Sequence, residues 1–355
     1  PESRLIEEIV KDILTKLNRS SISDHQGNIG IVGIAGHIAR IQSLMQLESA
    51  DIRIIGIWGM GGIGKTTIAK QIYHQLALQF NSRNLVLNVR EEIERHGIDH
   101  IKSKYKLLEE DTSFSNDRLK QRKVLLILDD VKDSRQLEDL IGGRGNFGQG
   151  SRIILTTRDM QVLKNAEAGE TYEVKGMNFQ DSLNLFSIHA FHSNHPSDAY
   201  MDLSIEVLHY AKGIPLALQI LGSLLYGRTE EEWEDELQKL KKHPDPNIFD
   251  VLKQSYDGLD EQQKDIFLDI ACFYRSYTEI FVAQKLEDCG FSAKIGMAVL
   301  KDRCLISILK DKIEMHDLIQ EMGQEIVRQE CPDNPGKRSR LWKAEEIIRV
   351  LKKNK

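Results

Sequence analysis

The sequence is short of cysteine, of long apolar runs and of net positive charge, and each shortage excludes something. Its four cysteines, Cys272, Cys289, Cys304 and Cys331, stand far apart with no C-x-x-C pair. That spacing argues against a zinc ribbon or a thioredoxin-like site. Cys272, inside the apolar stretch Asp269-Ile-Ala-Cys-Phe273, reads as a buried thiol of a reducing compartment. His189, His192 and His195 are spaced by three, but no cysteine lies near enough to complete a metal-ligand set. No apolar run approaches the roughly 18–20 residues that a membrane-spanning helix needs. The formal net charge of −6 argues against a chain built to coat nucleic acid. Nothing after Pro1 resembles a charged-then-apolar signal segment, and the missing initiator Met suggests a piece of a longer polypeptide. What remains is an ordinary globular composition, 41% hydrophobic and 29% charged over 355 residues. Two or three domains and a cytoplasmic setting are expected, with the nucleus as a second compartment.

Hydrophobic periodicity divides the chain. Over 3–17, Leu5, Ile6, Ile9, Val10, Ile13, Leu14 and Leu17 share one helical face that needs a partner surface. A polar linker follows, so 1–27 is expected to be a connecting helix. From 28 to 176, strand-like runs at Ile52–Trp58, Leu85–Val89, Val124–Leu128, Ile153–Thr157 and Tyr172–Val174 alternate with helical stretches such as Thr66–Phe80 and Ser134–Leu140. That alternation predicts a mostly parallel sheet covered on both faces. Only Glu92 to Gln121 lacks a clear pattern and is left partly as loop. After Gly176 the strand signal stops. Four short helices are expected within 177–244, ended by His243-Pro-Asp-Pro246. Four more helices, a hairpin turning at Lys310-Asp311 and a helix over 317–330 give 245–331 a winged-helix shape. The remainder, 332–355, reads as a solvated basic linker, and nucleic-acid binding is not expected of it.

Three motifs carry chemistry. Gly59-Met-Gly-Gly-Ile-Gly-Lys-Thr66 matches G-x-x-x-x-G-K-[ST] and stands between a strand and a helix, the context that gives the pattern meaning. Gly59, Gly61, Gly62, Ile63 and Gly64 would wrap a phosphate chain with their backbone N–H groups. Lys65 is expected at the β- and γ-phosphates, the Thr66 hydroxyl on Mg²⁺ and Thr67 at the α-phosphate. Val124-Leu-Leu-Ile-Leu-Asp-Asp130 ends a buried strand in two carboxylates at the ligand edge of the sheet. Asp129 is the candidate for holding Mg²⁺ through water, and Asp130 for orienting an attacking water. A third strand ends in Thr156-Thr-Arg158, where the guanidinium is placed to sense a γ-phosphate. Together these describe an α/β P-loop NTPase domain with a parallel sheet, followed by a helical and a winged-helix subdomain.

In this order the elements resemble the NB-ARC module shared by plant intracellular immune receptors and the apoptotic protease-activating factors. Gly213-Ile-Pro-Leu-Ala217 resembles the family's GLPLA motif and Met315-His-Asp317 its MHD motif. Gln263-Lys-Asp-Ile-Phe-Leu-Asp-Ile-Ala-Cys-Phe273 looks like the motif of TIR-class receptors, and Asn334 to Trp342 like the approach to leucine-rich repeats. The resemblance implies a switch of the STAND class that binds ADP when resting and ATP when active, with Mg²⁺. At most it would be a slow ATPase, any NAD-cleaving activity belonging to a TIR domain outside this chain. It implies TIR and leucine-rich-repeat domains in the same receptor and a homo-oligomer on activation. Ile31 and Val32 would lie beside adenine, Pro215 would pack on it and His316 would touch the ADP β-phosphate. From the residues alone, Pro215 is also a good first position of a helix, and Asp317 with Gln320 suits an N-cap. One departure is plain: where the family has an arginine after Val-Gly, this chain has His37.

Overall fold

The computed structural model describes residues 32–105, 122–142, 144–240 and 243–353. The expected helix at 3–17, its linker and Ile31 lie outside them. Five strands, β1 (Arg53–Trp58), β2 (Ser82–Val86), β3 (Val124–Leu128), β4 (Arg152–Thr157) and β5 (Glu170–Glu173), form one parallel sheet in the order β2-β3-β4-β1-β5. The central strands β3 and β4 are buried throughout, whereas the edge strands β2 and β5 are polar and half-exposed. Alternation sends Ile55, Ile57, Leu125, Ile127 and Ile154 into one core, and Ile54, Leu126, Leu128, Ile153 and Leu155 into the other. β4 stands between β1 and β3, so the strands ahead of the glycine loop and the paired aspartates are not neighbours.

Two local readings change. The expected strand Leu85–Val89 runs instead over Ser82–Val86, because Asn88 takes a left-handed conformation (φ 50°) and Val89 opens a helix to His96. A second helix, Ile98–Tyr105, follows within the region left partly as loop; residues 106–121 lie outside those described. Helix Ala35–Met45, which showed no distinct signal, is fastened to the sheet by Arg152. That fully buried guanidinium donates to the carbonyls of Met45 (2.6 Å), Gln46 (2.5 Å), Ser49 (2.9 Å) and Asp51 (2.8 Å).

Helices Phe179–Phe191, Met201–Ala211, Pro215–Leu225 and Glu230–Leu240 form the helical part around Trp233, whose indole N–H donates to the Leu225 carbonyl at 2.9 Å. The winged-helix part begins at Asp245, whose carboxylate caps helix Pro246–Asp257 through the N–H groups of Asn247 and Ile248. Helices Glu261–Asp269, Glu279–Asp288 and Ala293–Asp302, the hairpin β6 (Ser307–Leu309) and β7 (Lys312–Glu314), and helix Asp317–Glu330 complete it. Lys310 and Asp311 both have positive φ, as a two-residue hairpin turn of this hand requires. Beyond it, the stretch expected as solvated linker forms helix Ala344–Lys353. Its basic approach is paired internally: Arg338 meets Glu346 at 3.1 Å, and Arg340 meets Asp269 at 2.6 Å and Asp265 at 3.0 Å. Two ion pairs also tie the winged-helix part to helix Met160–Asn165, which follows β4: Lys164 to Asp302 at 2.9 Å and Arg303 to the N-cap Asp159 at 3.3 Å.

Glu321, on helix Asp317–Glu330, is half-buried beside Tyr210 of the helical part, and burial pushes its carboxyl up to about 7. Tyr210 and Arg328 pull it down, and Asp317 adds to the rise. A carboxyl raised in the folded state contributes stability that is fully present below its unfolded value and lost as pH rises to about 7. The loss is on the order of 2 kcal/mol after allowing for partial exposure. Glu321→Gln is therefore expected to melt several degrees above the parent at pH 8 and together with it at pH 4.5, as read by thermal denaturation.

Candidate functional site

The glycine loop leaves β1 and re-enters helix Lys65–Leu76, with Gly62 at φ 75° and Gly64 at φ 101°. Both lie where an L side chain is strained, so the curl that turns the backbone N–H groups inward depends on glycine. No side chain caps this helix, and its first-turn N–H groups face the loop. Lys65 is only 7% exposed, and its ammonium donates to the carbonyls of Gly59 (2.8 Å) and Met60 (2.9 Å). Burial brings its pKa down to about 8, and the nearby Arg158 charge acts in the same direction. A buried cation held only by neutral carbonyls fits an anion, and the oxygens of a phosphate chain would replace those carbonyls.

Asp129 ends β3 fully buried. The Thr66 hydroxyl donates to its carboxylate at 3.0 Å, and the Thr156 hydroxyl of β4 at 2.6 Å. This is a set of hard oxygen atoms that fits Mg²⁺. Asp130 has positive φ, donates its N–H to the Thr156 hydroxyl at 2.9 Å, and holds its carboxylate between Arg90 (3.0 Å) and Arg158 (3.5 Å). Arg158 also donates to the Val251 carbonyl at 2.7 Å, reaching helix Pro246–Asp257.

Lys65, Thr66, Arg90, Asp130, Thr156 and Arg158 border a cavity of about 330 Å³, with Asp129 buried behind Thr66 and Thr156. Gly62, Gly64, Lys65, Thr66 and Thr67 form its floor; Asp130, Thr156 and Arg158 come from the strand ends, Pro215, Leu216 and Gln219 from the helical part and Gln254 from the winged-helix part. Pro215 opens helix Pro215–Leu225 at its first position, and the next N–H, of Leu216, donates to the Gly62 carbonyl at 3.2 Å. Gly61 lies against Arg158 and Val251.

Of the described sequence-derived residues, Val32, Gly59, Gly61, Ile63, Asp129 and His316 do not border this cavity. Gly59, Ile63 and His316 border a second cavity of about 430 Å³, together with Met60 and Lys212. His316 accepts the Leu318 N–H on Nδ1 at 3.2 Å, so its proton is on Nε2, which faces the Lys212 carbonyl at 3.4 Å. His316, not Asp317, thus caps helix Asp317–Glu330. Asp317 is freed for ion pairs with Lys212 (3.0 Å) and Arg275 (2.5 Å). Burial alone would raise its pKa, but hydrogen bonds from those two cations hold it below the usual carboxylate value. Val32 is half-buried against the core of the sheet and helices, and His37 holds Tyr172 of β5 at 2.7 Å. Arg90 and Gln254 escaped sequence reasoning: one lies in a charged helix and the other in a distant one, and neither belongs to a spaced motif.

A parallel sheet with this loop, the Thr66–Asp129 contact and a three-part wall around one cavity defines a P-loop nucleotide-binding module. Residues 34–196 match the NB-ARC domain family, and residues 260–331 match the winged-helix domain of Roq1-like disease resistance proteins. Residues 34–196 thus belong to the NB-ARC family. It is 44% identical over 307 residues to disease resistance protein RUN1 of Vitis rotundifolia, covering 82% of this chain and 23% of that protein. TMV resistance protein N of Nicotiana glutinosa is 39% identical over 314 residues, covering 83% of this chain and 27% of its own length. The chain thus spans about a quarter of the length of these curated relatives. Among solved structures, a Walker-type ATPase of Pyrococcus abyssi superposes with a TM-score of 0.56 at 13% identity, covering 83% of this chain and 96% of that one, a likeness of fold. Among the described residues, no helix is long and apolar enough to cross a membrane.

Proposed function

We propose that this chain is the ADP/ATP-operated switch of a plant intracellular disease-resistance receptor, resting with ADP and active with ATP. The observation that carries the reading is the composition of the 330 Å³ cavity wall: residues of the sheet, the helical part and the winged-helix part all face one space. A ligand there is sensed by three bodies at once. In this reading the chain divides at 28–176, 177–244 and 245–331, with TIR and leucine-rich-repeat domains attached on either side in the whole receptor. The active form is a homo-oligomer in the cytoplasm or nucleus.

Lys65 and the loop amides bind the phosphates, Thr67 the α-phosphate, and Pro215 packs on adenine with Ile31 and Val32 beside it. Thr66 and Asp129 hold Mg²⁺, which supplies charge neutralisation on the phosphates. His316 belongs to the resting state, stiffening the Lys212 turn that approaches the loop from the helical part. Asp130 supports slow turnover: its carboxylate is paired with Arg90 and Arg158 and is a weak acceptor for the proton of an attacking water.

Such a switch has an energetic requirement. Reversing a 1:99 ratio takes a differential affinity of about 5.5 kcal/mol, and one hydrogen bond to a charged group contributes about 1.5–3 kcal/mol. Arg158 alone therefore falls short of reading the third phosphate. The proposal is tested by denaturing the purified chain, identifying the nucleotide released, and counting phosphate formed from added ATP. Bound ADP and about one phosphate per chain are expected. Many phosphates per chain each minute would instead make it a turnover ATPase.

A further inference from the structure

A second arginine besides Arg158 stands at the cavity, and its contacts have the same form. Arg90 lies in the first turn of helix Val89–His96, fixed to the end of β3 by two backbone bonds: the Val89 N–H to the Asp129 carbonyl at 2.8 Å and the Arg90 N–H to the Asp130 carbonyl at 3.4 Å. One nitrogen of its guanidinium meets Asp130 at 3.0 Å and the Gln254 side-chain carbonyl at 2.7 Å. Arg158 repeats the arrangement, with Asp130 on one side and the Val251 carbonyl on the other. Val251 and Gln254 are three residues apart on helix Pro246–Asp257 and therefore share a face.

Two guanidiniums thus share one carboxylate, and each also donates to a neutral oxygen of the winged-helix part. Three cations line this cavity, Arg90, Arg158 and, deeper, Lys65; of its two lining carboxylates Asp130 is shared by the two arginines and Glu91 is paired with Arg95. A neutral amide or carbonyl is a weaker acceptor than a phosphate oxygen, which forms charge-assisted and often bidentate bonds with arginine.

We propose that Arg90 is a second reader of the terminal phosphate of a nucleoside triphosphate, and that it exchanges Gln254 for that phosphate, which loosens helix Pro246–Asp257 from the sheet. The inference rests on the switch reading above and adds to it the residue, the contact broken and the element released. With a diphosphate, Arg90 and Arg158 keep their contacts to Gln254 and Val251 and the winged-helix part stays fastened. With a triphosphate both arginines turn towards the new charge, and the face carrying Val251 and Gln254 loses its two donors together.

The test uses the 355-residue chain and fluorescent ADP and a non-hydrolysable ATP analogue, each titrated with Mg²⁺. Arg90→Gln is expected to weaken the triphosphate by about 10- to 100-fold and to leave the diphosphate within about twofold. Hydrogen exchange of the helix Pro246–Asp257 amides supplies a reading that a merely structural arginine would not move. In the parent chain the triphosphate analogue, but not ADP, should speed exchange there; in Arg90→Gln, which lacks the contact to Gln254 from the start, exchange should already be raised with ADP and the third phosphate should add less. Gln254→Leu, which leaves Arg90 in place, should speed exchange with ADP already bound. Equal losses for both nucleotides in Arg90→Gln, or exchange in that helix that ignores the third phosphate, would overturn the proposal. A folded parent chain that binds neither nucleotide would remove the switch reading itself, and this inference with it.

Discussion

Lys65→Ala is expected to come off purification without nucleotide and to bind ADP at least 100-fold more weakly than the parent chain. The side chain is 7% exposed and hydrogen-bonds only the Gly59 and Met60 carbonyls, so burial and the Arg158 charge outweigh the pull of Asp130 and Asp129 until an anion arrives. Two charge-assisted hydrogen bonds of about 1.5–3 kcal/mol each, made to oxygens of the β-phosphate, account for a loss of that size. The substitution should not unfold the chain. Folding lowers the pKa of this amine to about 8, which means that burying its charged form opposes folding at neutral pH. Its removal is therefore expected to leave the melting temperature of the nucleotide-free protein unchanged or slightly higher. Calorimetric titration with ADP and Mg²⁺, beside a melting curve without nucleotide, separates lost binding from lost structure. Retained ADP with normal affinity would remove Lys65 from the phosphate site.

How much of this was legible in the sequence depends on how local each cause is. The phosphate loop was legible because its geometry is written in consecutive residues: glycines where the backbone must curl, then a lysine and a threonine opening a helix. The all-apolar run of β3 announced a strand buried on both faces, and its two final aspartates announced the ligand edge. Strand order was not legible, since nothing in β4 says that it lies between β1 and β3. Helix Val89–His96 was obscured because six of its eight residues are Arg, Glu or His, leaving Val89 and the half-buried Ile93 alone to pack against the core. At His316-Asp317 both candidates could cap, and tertiary contacts decided. Lys212 and Arg275 come from positions 105 and 42 residues earlier and claim the Asp317 carboxylate, which leaves the cap to the imidazole. Arg90 is illegible for the same reason: its meaning is given by Asp130 and by Gln254, 164 residues away.

That geometry makes Asp317→Val the second large effect. In the parent chain one carboxylate joins Lys212, at the end of the helical part's second helix, to Arg275 of the winged-helix part. Valine removes the shared anion and leaves two cations facing each other in a half-buried setting, an arrangement costlier than the mere absence of a pair. Helix Asp317–Glu330 keeps its cap, because His316 and not Asp317 accepts the Leu318 N–H, so the helix itself should persist. The expected result is a folded protein whose helical and winged-helix parts separate more readily. Because the nucleotide cavity is walled by both, ADP should dissociate about 10-fold faster, a change of about 1.4 kcal/mol in the barrier to leaving. Asp317→Asn, which keeps the shape and an acceptor oxygen but not the charge, should fall between the two. Stopped-flow release of fluorescent ADP measures all three. If Asp317→Val held ADP as long as the parent or longer, the contact between Lys212, Asp317 and Arg275 would not be what keeps the resting state closed.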